Sequence, residues 1–260
     1  MRFRLELHPT DIRKILPVNY QYELSSWIYK TIHMGNPDFA MWLHEHGYMD
    51  GKKQFKYFTF SNLIIDKIKI SGDRLEFLSD KCFLEISFFL EEAVEPFILG
   101  VFRNQEFRLG DKVSQVQFHV SGIEKLPEPI WTQTMSFKTQ SPVVVSIQLE
   151  NSRTATYLAP DHPDFEQLFL KNLHQKLYTL AIQKQAPGNL PEYLPEPRAL
   201  KVSQIKSKLI KIKAGTPQQS SIKGYLFDFT LTAPVEFIRM GYYAGFGEKG
   251  SLGFGSVRKI

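Results

Sequence analysis

Residues Arg2 to Leu7 read Arg-Phe-Arg-Leu-Glu-Leu, the polar and apolar alternation with a period of two that marks a half-buried strand. From about Tyr20 the period lengthens, and Leu24, Trp27, Ile28 and Thr31 lay one apolar stripe along a helix. Asn36-Pro37 restarts the chain as a second helix, because an Asn side chain caps free amides and Pro suits the first helical position. Gly47 supplies its stop. Strand-like stretches follow at Phe55 to Ser61, Ile64 to Ile70, Leu75 to Leu78 beyond a Gly72-Asp73 turn, and Cys82 to Leu90. Glu91 to Asn104 reads as a helix despite Pro96, and Gln115 to Val120 alternates as a strand.

Gly122 to Pro129, with one glycine, two prolines and mixed charges, reads as a break in the chain. Beyond it the pattern predicts strands at Thr132 to Lys138 and Val143 to Leu149. Phe165, Leu168, Phe169, Leu173, Leu177 and Leu180 then recur at helical spacing within Asp164 to Lys184. Pro187 to Pro197 reads as a loop, Val202 to Lys213 and Lys223 to Thr232 as long strands, a short helix follows Pro234, and a strand from Ser251 ends the chain. Each half therefore runs through the β-α-β-β-α-β order of a ferredoxin-like unit, with an extra hairpin in the first. The fold class is α+β: two tandem ferredoxin-like (RRM-like) domains with antiparallel sheets, divided as residues 1–124 and 125–260.

Composition narrows the function. At 260 residues with 43% hydrophobic and 23% charged side chains the chain is globular, and no apolar run approaches a membrane span. No secretion signal is visible at the N-terminus, and one cysteine, Cys82, supplies neither an internal disulfide nor a thiolate zinc site. A cytoplasmic protein without cofactor is expected. The net charge is +5, but its distribution matters more: from Lys201 to Phe227 there is no acidic residue, while Lys201, Lys206, Lys208, Lys211, Lys213 and Lys223 fall inside. Such a stretch points to a polyanionic partner. One strand face is expected to present several of these lysines, a bulge absorbing the change of phase.

Residues 241–257 carry six glycines: Gly241, Gly245, Gly247, Gly250, Gly253 and Gly255. That density lets backbone amides approach a ligand unobstructed. Gly245 to Gly250 matches G-x-G-x-x-G, but only ten residues follow, too few for the helix and acidic residue of a dinucleotide site, and no lysine follows Gly250 as a P-loop requires. The pattern Gly245-Phe-Gly247, five residues, then Gly253-Phe-Gly255 resembles instead the signature of the CRISPR-associated repeat-processing endoribonucleases of the RAMP superfamily. The opening MRFRLELHP, the IYKTI and WLHE segments and KYFTFS are also similar to that family. The resemblance implies an enzyme that cuts the repeats of CRISPR precursor RNA without metal, by attack of a ribose 2′-hydroxyl on the adjacent phosphate. It also implies a glycine loop that organises the RNA surface, so Gly245, Gly247, Gly253 and Gly255 join Lys206, Lys208, Lys211 and Lys213 as candidate RNA-binding residues. CRISPR repeat RNA is the expected partner, with other effector subunits as further candidates and monomer or homodimer left open.

The family's catalytic tyrosine, histidine and lysine correspond by motif to Tyr29 in Ile28-Tyr29, His44 in Leu43-His44-Glu45, and Lys56 before Tyr57-Phe58-Thr59-Phe60-Ser61. Lys52 and Lys53 stay open as alternatives to Lys56. Helical phase agrees with the first two: Phe39, Trp42, Leu43 and His46 share a face from which His44 turns away, and Tyr29 lies off the first helix's stripe, on the flank it shares with Tyr22 and His33. Imidazole titrates near neutrality and serves as acid or base. A metal site at His44 and His46 is disfavoured, since residues two apart on a helix face different ways. Two rival readings are a non-catalytic repeat-RNA-binding subunit and a nucleotide-binding regulatory module on the same fold.

Overall fold

The computed structural model describes residues 1–51, 53–148, 154–184 and 198–260. The first sheet is built from β1 (Arg2–Pro9), β2 (Phe58–Phe60), β3 (Cys82–Phe88), β4 (Glu106–Gly110) and β5 (Gln115–Lys125), in the order β4-β5-β1-β3-β2, all antiparallel. Along β1 the side chains of Phe3, Leu5 and Leu7 are buried and those of Arg4, Glu6 and His8 only partly so, as the alternation requires. Helices α1 (Gln21–Gly35) and α3 (Val94–Arg103) cover one face, where Trp27 stacks on Phe107 and meets Phe97 edge-on. Pro96 sits in the first turn of α3, where no intrahelical amide is lost.

Between them α2 (Pro37–Glu45) begins as its sequence predicts: Asn36 Oδ1 accepts from the Phe39 amide at 3.0 Å, and Gly47 takes φ +55° just past the last turn. The second sheet comprises β6 (Thr134–Thr139), β7 (Arg198–Ile212), β8 (Ser220–Thr232) and β9 (Val257–Lys259) in the order β7-β8-β6-β9, again antiparallel. Helices α4 (Phe165–Lys184) and α5 (Val235–Ala244) pack on it around Phe169, Phe229 and Phe246. In each half the central strand pair and its flanking strands take the ferredoxin-like arrangement. Among the described residues no helix is long and apolar enough to cross a membrane.

Several local expectations are corrected. Phe55 to Ser61 is not one strand, because Tyr57 takes φ +52° and divides a short hairpin strand, Lys53–Phe55, from β2. Ile64 to Ile70 divides likewise: Ile64–Ile65 pairs with β3, whereas Ile68–Ser71 pairs with Arg74–Phe77 across the Gly72 turn. Of Val143 to Leu149, Ser146–Ile147 forms a small hairpin with Thr156–Tyr157 and Val143 bridges to Tyr225; Leu149 lies outside the described residues. The last strand begins at Val257, after a 3-10 turn at Gly250–Leu252. The Pro187 to Pro197 loop and Lys52 also lie outside the described residues.

The two sheets are joined through buried polar contacts. Arg2, 3% exposed, donates to the carbonyl oxygens of Val257 (2.6 Å) and Tyr242 (3.3 Å), with its guanidinium 4.0 Å from the Tyr242 ring centre. Glu85 accepts from Arg4 at 2.7 Å and from Gln140 Nε2 at 2.8 Å. Charge-assisted bonds of this kind tie β1 and β3 to the second half.

Candidate RNA-cleavage site

Tyr29 projects from the flank of α1 and His44 from the last turn of α2, and their rings meet edge to face with centres 5.3 Å apart. His44 is exposed while Leu43 beside it is buried, as the helix pattern predicts, but of the expected Phe39, Trp42, Leu43 and His46 face only Leu43 is buried, and Trp42 and His46 are exposed. His46 caps the C-terminus of α2 and is also exposed, so it is a helix-end residue rather than a packing one. Tyr29 and His44 line a groove of about 340 Å³ with Lys30, His33 and Glu45.

Burial raises the Tyr29 phenol to about 12, with the nearby Ser251 side chain opposing it in part. Ser251 belongs to the glycine-rich segment, and its backbone carbonyl accepts the Ser25 hydroxyl at 2.7 Å, a bond that joins α1 to the second half. Sequence reasoning missed it. A serine in such a segment carries no local signal, and only the packing of residues more than 200 positions apart reveals the contact.

Lys56 extends from the turn before β2 and donates through Nζ to the carbonyl oxygens of Leu43 and His44, the latter at 2.8 Å. It therefore closes the C-terminal end of α2, where the last carbonyls lack helical partners and the dipole favours a cation. Burial lowers its ammonium to about 8. Two of its three protons are committed to the helix that carries His44, which leaves one for a ligand. Lys53, by contrast, donates to Gln175 Oε1 on α4 at 2.7 Å.

Lys56 and Ser251 line a larger cleft of about 560 Å³ between the halves, together with Lys53, Asn172, Lys176 and Lys249. Among the described residues no three His, Cys, Asp or Glu side chains gather as metal ligands would.

The glycines behave differently from expectation. Gly245, Gly247, Gly253 and Gly255 are all buried, and the space their missing side chains leave is filled by protein. A Cβ on Gly247 would stand 2.4 Å from the Val144 carbonyl oxygen, and one on Gly255 2.0 Å from that of Phe246; both residues have φ near +75°. Gly245 and Gly253 meet Phe254, Thr59 and the Phe60 ring in the same way. Their bareness therefore admits protein atoms rather than a ligand.

The lysine stretch forms the β7–β8 hairpin. Lys206, Lys208, Lys211 and Lys213 are exposed, but the register runs unbroken from Lys206 to Ile212. Lys206 and Lys208 consequently share one face and Lys211 takes the other with Lys223. The bulge lies earlier, between Ser203 and Lys206 around Gln204 at φ +56°, so it does not align the four lysines. Lys213 follows the end of β7 at φ +51°, with Nζ 5.8 Å from the Tyr22 ring centre.

Two family models cover nearly the whole chain, one for the N-terminal part of the CRISPR-associated protein Cas6 over residues 15–124 and one for its C-terminal part over residues 124–259. The chain belongs to the Cas6 family. It is 32% identical to the CRISPR-associated endoribonuclease Cas6 1 of Methanocaldococcus jannaschii over all of this chain and 93% of that protein. A Cas6 endoribonuclease of Pyrococcus furiosus is 30% identical over 99% of this chain and 89% of its own length. A solved structure of a Cas6-related gene product from Pyrococcus furiosus superposes with a TM-score of 0.79 at 29% identity, covering 100% of this chain and 98% of that one. Another, described as an RAMP protein binding different RNA substrates, gives 0.78 at 29% identity, covering 100% and 99%. This Cas6 chain has the two-sheet architecture of those structures.

Proposed function

We propose that the chain is an endoribonuclease that cleaves CRISPR precursor RNA within its repeats, without a metal, by attack of a ribose 2′-hydroxyl on the adjacent phosphate. In this reading residues 1–124 supply the reacting groups, and residues 125–260 supply the glycine-rich loop and the basic hairpin. The edge-to-face contact of Tyr29 with an exposed His44 carries the reading, with the endoribonuclease names of its relatives in support. His44 takes the 2′ proton as the P–O2′ bond forms, and the P–O5′ bond breaks to leave a 2′,3′-cyclic phosphate and a 5′-hydroxyl. With its proton held to about pH 12, Tyr29 is a neutral phenol and serves as donor rather than as base, giving its proton to the departing 5′ oxygen, which leaves as the 5′-hydroxyl. Lys56 holds the α2 terminus under His44 and offers its third proton to the phosphate.

His44→Ala should lower single-turnover cleavage of repeat RNA by about 10²- to 10⁴-fold while leaving repeat binding nearly intact, and His46→Ala should cleave normally. A 2′-deoxy substitution before the scissile phosphate should block the native enzyme, and EDTA should not. Cleavage of the deoxy substrate, or dependence on a divalent ion, would sink the mechanism. A native chain that binds repeat RNA tightly and never cuts it would make it a non-catalytic RNA-binding subunit.

A further inference from the structure

Lys176 projects from α4 into the joint between the halves and is 5% exposed, an uncommon state for a lysine. Its Nζ donates to the carbonyl oxygens of Gly245 at 2.6 Å and Gly247 at 2.7 Å, two carbonyls that the left-handed turns of the glycine-rich loop aim towards α4. Its own backbone carbonyl accepts the Tyr57 hydroxyl at 2.6 Å. A single residue thus grips the start of the loop that carries Ser251, and also the turn that carries Lys56. Ser251 in turn accepts the Ser25 hydroxyl at 2.7 Å through its backbone carbonyl, one turn of α1 before Tyr29.

We propose that Lys176 is a positioning residue for the cleavage site: a buried cationic latch that fixes the glycine-rich loop so that Ser251 meets Ser25 of α1, one turn before Tyr29. Burying an ammonium is costly unless its bonds are well made, and an uncharged side chain would fill the same space without that cost. The two charge-assisted bonds define one loop geometry, which a purely apolar contact would leave adjustable. Burial lowers the Lys176 ammonium to about 7, with the Glu248 carboxylate opposing. The other ionisable groups around the same cleft are Lys53, Lys56, Tyr57 and Lys249.

The inference rests on the endoribonuclease reading for its catalytic arm alone. Hydrogen exchange of the 245–255 amides in the free protein tests the latch without RNA: Lys176→Met should exchange at least tenfold faster, and Lys176→Gln, which keeps one donor pair, should fall between. Unchanged exchange in both variants overturns the latch. In single-turnover cleavage at saturating repeat RNA, Lys176→Met should be at least tenfold slower with affinity changed less than threefold. On a Ser25→Ala background, which removes the bond to the Ser251 carbonyl, the same substitution should cost less than threefold, because the two act through one path. Fully multiplicative losses would assign Lys176 a general folding role and overturn the proposal. Should Lys176→Met fail to fold, Lys176→Gln carries both measurements. A native chain that cuts no repeat RNA refutes the endoribonuclease reading instead, and the exchange result still decides the latch. Since the folded state holds Lys176 below its unfolded value of about 10.4, native stability should rise as pH increases from about 7 towards 10; Lys56, lowered to about 8, contributes to the upper part of that rise, so Lys176→Met should reduce it rather than remove it.

Discussion

The glycine-rich loop after α5 is enclosed between the two sheets, whereas the β7–β8 hairpin stands in solvent along much of its length. In the loop each glycine removes a Cβ that would strike a neighbour: the Val144 carbonyl at Gly247, the Phe60 ring at Gly253, the Phe246 carbonyl at Gly255. In the hairpin Leu209 is 60% exposed and the lysines on either side of it point outward. One segment is dense in glycine because protein packs on it, the other in lysine because little does. The contrast has a limit at the hairpin tip, where Ile210, Ile212 and Ile222 join Val144 and Phe254 in a small buried cluster and the Lys211 amide donates to Asn19 Oδ1 at 3.2 Å. The hairpin is thus pinned at its far end to the first half.

The largest effect should come from Gly255→Val. A β-branched residue at φ +78° with its Cβ against the Phe246 carbonyl combines backbone strain with overpacking, together about 3–5 kcal/mol. A melting temperature lower by about 10 °C or more, or no soluble protein, is expected. Native melting with RNA affinity lost would break the comparison, since the glycine would then be serving a ligand. Ile212→Ala should cost about 2 kcal/mol, by removing a buried side chain from a small cluster, and should loosen the hairpin from α1. Thermal unfolding measures the cost, and unchanged stability would mean that the tip is not pinned.

Replacing Lys206, Lys208 and Lys211 together by Ala should shift the melting temperature by no more than about 2 °C, because all three are exposed. The salt dependence of repeat-RNA binding should nevertheless fall by about 0.7 in slope for each single-strand phosphate that is no longer neutralised. Because Lys211 lies on the face opposite Lys206 and Lys208, single replacements should separate into two classes if the RNA follows one face. An unchanged affinity and slope in the triple variant would move the RNA surface elsewhere.

Much of the framework was legible along the chain, and the reason is local. Strand alternation in Arg2 to Leu7, the α1 stripe and the Asn36-Pro37 start with its Gly47 stop depend on contacts within a few residues or on one buried face. The phase of α2 that turns His44 outward belongs to the same class. The breaks at Tyr57 and between Ile65 and Ile68 were not legible, because a left-handed tyrosine and a change of strand partner are imposed by neighbours distant in sequence.

The sequence by itself determined the order of strands and helices, the acid-free run of lysines and the presence of a tyrosine and a histidine off the apolar stripes of their helices. Only the tertiary structure decided what those groups can do. Burial against Phe58 makes Tyr29 a proton-retaining phenol; the carbonyls of Leu43 and His44 occupy Lys56; and the two glycine carbonyls capture Lys176. The physical reason is that protonation and donor capacity depend on desolvation and on partners, and in this chain the decisive hydrogen-bond partners stand from 12 to 71 residues away.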